Sequence, residues 1–227
     1  MIRKLLNIQW IAAILILLLA ASCSMDIKKS KTEILFDAIE TSFINPNDTN
    51  KIHLLDTLSS YDLSSLDNAH KKAFWFNAYH LFLEDFSHHP SGYLDFDRFL
   101  RTRFTIANET LTTKDLIEKI NAFNDPRALI CLDFYTTTSS PTQHQVLNKN
   151  SEKLLDSLCA KIINDPSFIR VKPDLSIVYY PEHFDWHFDH IHSQQSSKDI
   201  ILSYHRNKAI IDEYDFKPYP FSYKLRN

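Results

Sequence analysis

One glycine, Gly92, serves the whole 227-residue chain. A phosphate-cradling loop needs several glycines so that backbone amides can approach the anion. A Walker A loop, a Rossmann turn and a glycine-rich kinase loop are therefore all excluded, and with them a bound nucleotide. A GxSxG nucleophile elbow is excluded on the same ground. Backbone turns of positive φ must be made by other residues, with Asn or Asp expected first. Apolar residues at 44% and charged residues at 23% are ordinary for a globular domain of this length. The net charge of −3 gives no basic stripe for nucleic acid.

The N-terminus carries its own signal. Arg3 and Lys4 precede an unbroken apolar run from Trp10 to Ala21. That run is shorter than the roughly 20 residues a membrane span needs, and fits the apolar core of an export signal. Ala20-Ala21-Ser22-Cys23 then places small residues before a cysteine, which resembles a bacterial lipobox. The resemblance implies that residues 1–22 are a signal peptide and that Cys23 is lipidated. A diacylated cysteine gives the two-chain anchoring that one chain cannot. Residues 23–30 then read as a lipidated end with a short polar tether. Ser24 occupies the place of an inner-membrane retention aspartate, which favours the outer membrane. Cys131 and Cys159 sit in apolar surroundings, where buried thiols are expected rather than a disulfide.

Residues 31–227 read as one globular domain. Helical apolar spacing covers Lys31 to Phe43, Ser65 to Phe86 with Asp67 as cap, Tyr93 to Phe104, Thr112 to Ala122 and Ser151 to Ile163. Ala128 to Phe134 reads as a short buried strand, and Thr136 to Pro141 as a polar loop. Alternation on both sides of Lys172-Pro173-Asp174 predicts a β-hairpin. Pro181 opens a further helix, Lys198 to Asn207 another, and Tyr214 to Tyr223 is extended. The expected fold class is α+β, mostly helical, with a small sheet.

Lys72-Ala73-Phe74-Trp75-Phe76-Asn77-Ala78-Tyr79 resembles the signature block of the domain of unknown function 547 family. Phe104-Thr105-Ile106-Ala107 with Leu111, Ile117-Glu118, Asp125-Pro126-Arg127, Ser139-Ser140-Pro141, Phe184 with Trp186, and the closing Tyr214 to Asn227 follow in that family's order. The resemblance spans residues 69–227. The chain departs from the family at positions where many members carry histidine, here Lys119 and Leu129. The loop over Phe134 to Pro141 lacks the glycines and cysteines common in the family. The resemblance carries no activity with it.

Three groups of residues could carry function. Asn77, on an apolar helix face, either orients a substrate or ties its helix to a neighbouring loop. Arg127 either binds an anion with its planar fork or pairs with an internal acid such as Glu118. His183, His187 and His190 fall at i, i+4 and i+7, so a helix would align them as zinc ligands, although no HExxH is present. His88-His89 is a weaker pair. Ser139 or Ser140 with His144 lacks a visible orienting group for nucleophilic catalysis. Two readings stand. One is a membrane-anchored envelope lipoprotein with a non-catalytic binding or structural domain, its small-molecule or protein partner unknown. The other is a hydrolase-like, metal-assisted enzyme, with zinc as the candidate metal, acting on envelope material through Glu118 and the histidines; a pocket where Asn77, Glu118 and Arg127 meet would favour it, or a small-ligand form of the first reading.

Overall fold

The computed structural model describes residues 30–44, 50–87, 96–132, 146–148, 150–185 and 196–220. The export signal, Cys23, His88-His89, the Ser139-Ser140-Pro141 loop with His144, the segment from Trp186 to His192 and the last seven residues lie outside them. Residues Leu35 to Asn227 form one compact unit, separate from Met1 to Ile34.

The order of elements is α1 (Lys31–Ile44), α2 (Asn50–Ser59), α3 (Asn68–Ser87), α4 (Phe96–Arg101), β1 (Arg103–Ile106), β2 (Glu109–Thr112), α5 (Thr113–Asn121), α6 (Pro126–Ile130), α7 (Glu152–Ile163), β3 (Arg170–Lys172), β4 (Ile177–Pro181), α8 (Ser197–Tyr204), α9 (Lys208–Ile211) and β5 (Asp215–Tyr219). Helix outweighs sheet, and the fold is α+β with two small sheets.

The strongest helix, α3, is buried on every side from Ala73 to Leu83. A helix apolar all round belongs in the centre of a core, and Phe74, Phe76, Tyr79, Leu81 and Leu83 are fully buried there. Asp67 caps it, its carboxylate accepting from the His70 amide at 2.9 Å. Against this core lies α5, which buries Leu116, Ile117 and Ile120. Thr112 and Asp115 close a reciprocal capping box at its start.

The expected hairpin forms. β3 and β4 pair antiparallel, with Val171 opposite Val178, around a single 3-10 turn at Pro173–Leu175. The aromatic, proline-bearing tail is extended as β5 and pairs parallel to β4, with Val178 opposite Phe216. That parallel pairing needs a crossover, and α8 and α9 lie within it.

Four readings are corrected. Residues 128–130 are helical, not a strand: Asp125 accepts from the Arg127 amide and Pro126 occupies the first turn, so α6 starts there. A short apolar run alone does not separate strand from buried helix. The helix read through Phe104 ends at Arg101, and Phe104 lies in β1. Pro181 ends β4, and the chain is helical only from His183. The helix read to Asn207 stops at Tyr204.

Three features had no sequence reading. Two are the helices α2 and α9. The third is the β1–β2 hairpin, turned by Ala107 (φ 50°) and Asn108 (φ 63°). Their amides donate to the Leu58 and Ser59 carbonyls at 2.8 and 2.7 Å, satisfying the open end of α2. Positive φ also occurs at Asn124 and Ser176. Asn thus supplies two of these four positions, while Ala107 and Ser176 adopt a conformation costing roughly 1–2 kcal/mol without glycine.

Candidate functional site

The polar chemistry of the described residues concentrates beside the start of α3. Lys72 Nζ donates to Asp125 at 2.8 Å and to Glu152 at 2.7 Å. Lys72 and Asp125, far apart in sequence, therefore meet through an ion pair. Arg127 lays its fork along the Asp125 carboxylate, with Nε and Nη2 each at 2.9 Å. Its Nη1 donates to Asp156 at 2.9 Å, and Nη2 also contacts Glu152. Tyr204 of α8 donates to the other face of the cluster, reaching Asp156 at 2.7 Å. Four helices thus share one network.

Its electrostatics follow from burial. Asp125 is 10% exposed. Desolvation pushes its carboxyl up, yet the hydrogen bonds from Arg127 and Lys72 outweigh that and hold it below the ordinary value. Burial pulls the Lys72 ammonium down, and its bonds to Asp125 and Glu152 more than reverse the effect. Lys72, then Arg127, lower the Glu152 carboxyl. Tyr204, then Arg127, lower that of Asp156. Beneath the network, burial pushes the Cys159 thiol far up, so it is protonated.

The sequence candidates separate in space and in role. Arg127 pairs with Asp125, Glu152 and Asp156, not with Glu118, and its donors face these internal acids. Glu118 is on the exposed face of α5. Asn77 is buried, and its amide makes a closed pair with one backbone residue. Nδ2 donates to the Leu147 carbonyl and Oδ1 accepts from the Leu147 amide, both at 2.8 Å. This geometry ties α3 to the segment before α7.

His183 is buried between Phe168 and Phe184, with ring centroids at 5.8 and 5.1 Å. Its expected companions His187 and His190 lie outside the described residues. Among the described residues, no group of three or more His, Cys, Asp and Glu side chains is arranged to hold a metal ion. Asp185, two residues on from His183, accepts from Tyr180 at 3.0 Å and from Ser197 at 2.6 Å, tying β4 to the start of α8.

Sequence reasoning missed the acids of α7 and Tyr204. Glu152 and Asp156 stand at i and i+4, so they share a helix face, and that spacing was available as a signal. Tyr204 carried none. Compared with family models, curated proteins and solved structures, the chain matches none.

Proposed function

We propose that this chain is a lipid-anchored bacterial envelope protein whose domain binds or scaffolds an envelope partner, with a fold similar to the domain of unknown function 547. The observation supporting the domain reading is the engagement of its two best chemical candidates. Arg127 faces three internal carboxylates, and the Asn77 amide closes on Leu147. A residue that orients substrate would keep such groups turned toward a cavity. The lipobox-like Ala20-Ala21-Ser22-Cys23 supports the anchor. From Cys23 to Lys31 the chain spans at most about 28 Å, taking roughly 3.5 Å per residue. A lipid on Cys23 would hold the domain at the bilayer surface, in reach of envelope components there. Removing the signal also removes Arg3 and Lys4, so the exported chain is more acidic than the full one.

The test is Cys23→Ala in the full chain. Labelling with an acyl precursor should disappear, and the protein should move from the membrane fraction to the soluble one. Continued lipid labelling of the variant overturns the anchor.

A further inference from the structure

We propose that His205 is a pH-operated latch at the corner between α8 and α9: its neutral ring holds the single turn of α9 closed, and protonation releases it.

The main chain at this corner is anchored to α7. His205 ends α8, its backbone extended and its amide donating to the Ile201 carbonyl at 2.8 Å. Asn164, where α7 ends, grips the residues on either side of it. Its Nδ2 donates to the Tyr204 carbonyl, and its Oδ1 accepts from the Arg206 amide, both at 2.8 Å. Arg206 Nη2 returns a bond to the Asn164 carbonyl at 3.1 Å. His205 itself is buried.

The chain beyond is held by His205. The Asn207 amide donates to its Nδ1, and the Lys208 amide to its carbonyl, both at 3.1 Å. The Asn207 carbonyl in turn accepts from the Ile210 and Ile211 amides. Asn207 makes no side-chain cap for α9, so the ring of His205 is what fixes the start of that turn.

This bond dictates the charge of the ring. Nδ1 accepts an N–H only when it carries no proton, so the ring is neutral with its hydrogen on Nε2. A second proton goes to Nδ1 and faces the Asn207 amide donor to donor, and that amide loses its acceptor. Burial first, and then the Arg206 guanidinium, also oppose the charged form and hold the ring below its ordinary pKa of about 6.5. Around the corner α7 contributes the neutral Asn164, α8 ends at Tyr204, whose hydroxyl is bonded to Asp156, and α9 opens with Lys208. Among the described residues no carboxylate pairs with the ring. The latch is therefore complete above the ordinary value and is lost as pH falls through the lowered one. The carboxyls of the Arg127 network titrate below their own ordinary range, near 4, which leaves a window for the latch.

Hydrogen exchange read by mass spectrometry, on the full chain solubilised in detergent, tests this. Amides 207–211 are followed at about pH 7.5 and about pH 5, with each rate divided by its intrinsic value at that pH. Wild-type protection there should fall about tenfold at the lower pH, which lies well below the ordinary histidine value. His205→Asn keeps an acceptor two residues before the Asn207 amide, as in an Asx turn, and has nothing to titrate. Its protection should be the same at both pH values. His205→Ala, with no acceptor, should be open at both. Unchanged wild-type protection overturns the latch. An equal fall in His205→Asn also overturns it, because the response then belongs to another group. The amides of α5 are the internal reference and should keep their protection; a matching loss there would mean that the whole domain loosens, and the latch fails as an explanation.

Discussion

Helix α3 is tied to the chain around α7 twice, by chemically opposite means. Near its start, Lys72 joins Asp125 and Glu152 in a network of charges that reaches the surface. One turn and a half further on, Asn77 holds Leu147 through two neutral hydrogen bonds in the interior. The first tie links four helices and tolerates partial solvation, since Glu152 and Asp156 are both about half exposed. The second links one side chain to one residue and excludes water. The charged tie should therefore respond to pH and salt, and the neutral one to neither. Both consume side chains that could otherwise meet a ligand, and both start from the segment Lys72 to Tyr79. That segment works here as a clasp for the fold.

The largest break in this comparison is Asp125→Ala. It removes the shared partner of both cations and the cap of α6 in one step. Breaking a mostly buried ion pair and losing a cap together should cost about 3–5 kcal/mol, read as a lowered denaturant midpoint. Asp125→Asn keeps an oxygen for the Arg127 amide and isolates the charge. It should lose about half as much as the alanine variant. Equal losses in the two variants would mean that the ion pairs, not the cap, hold this corner.

These ties were half legible in the sequence. The periodicity of α5 and α7 is visible because each buries a helical stripe, α3 is visible as a long apolar segment after a capping Asp67, and turn chemistry at Lys172-Pro173-Asp174 marks the β3–β4 hairpin. The β1–β2 hairpin was not visible, because Ala107 gives no hint that it adopts positive φ. Its conformation is stabilised by α2, whose end it caps, and no local pattern records a contact of that range. Asn77 and Arg127 were visible as unusual residues, but their partners were not. Leu147, Glu152 and Asp156 are brought to them only when α3, α6 and α7 pack. The glycine count excluded whole reaction classes for a local reason, which is why that inference needed no tertiary information.

Asn77→Ala should come next in size, at about 2–4 kcal/mol. The loss arises less from two ordinary hydrogen bonds than from the Leu147 amide and carbonyl left buried without them. Asn77→Asp sharpens the point. It can accept from the Leu147 amide but sets a carboxylate against the carbonyl, so it should destabilise strongly at neutral pH and partly recover in acid. Equal stability of the aspartate variant at pH 7 and pH 4 would place Asn77 in a wetter setting than its burial describes.

The smallest effect belongs to Glu152→Gln. Its carboxylate is 57% exposed, so solvent screening limits the loss to about 0.5 kcal/mol despite contacts with both Lys72 and Arg127. Its value lies in the acid limb. The folded-state carboxyls of Asp125, Glu152 and Asp156 titrate below their ordinary range, which is near pH 4. The stability they contribute is fully present above that range and is lost as pH falls through their lowered values. Wild-type stability should therefore decline below about pH 4, and Glu152→Gln should decline less steeply because one of the three groups no longer binds a proton. The neutral Asn77 tie adds no slope of its own. Identical acid limbs for wild type and Glu152→Gln, measured by denaturant titration at low ionic strength, would remove Glu152 from the network and leave Asp125 and Asp156 to carry its pH dependence.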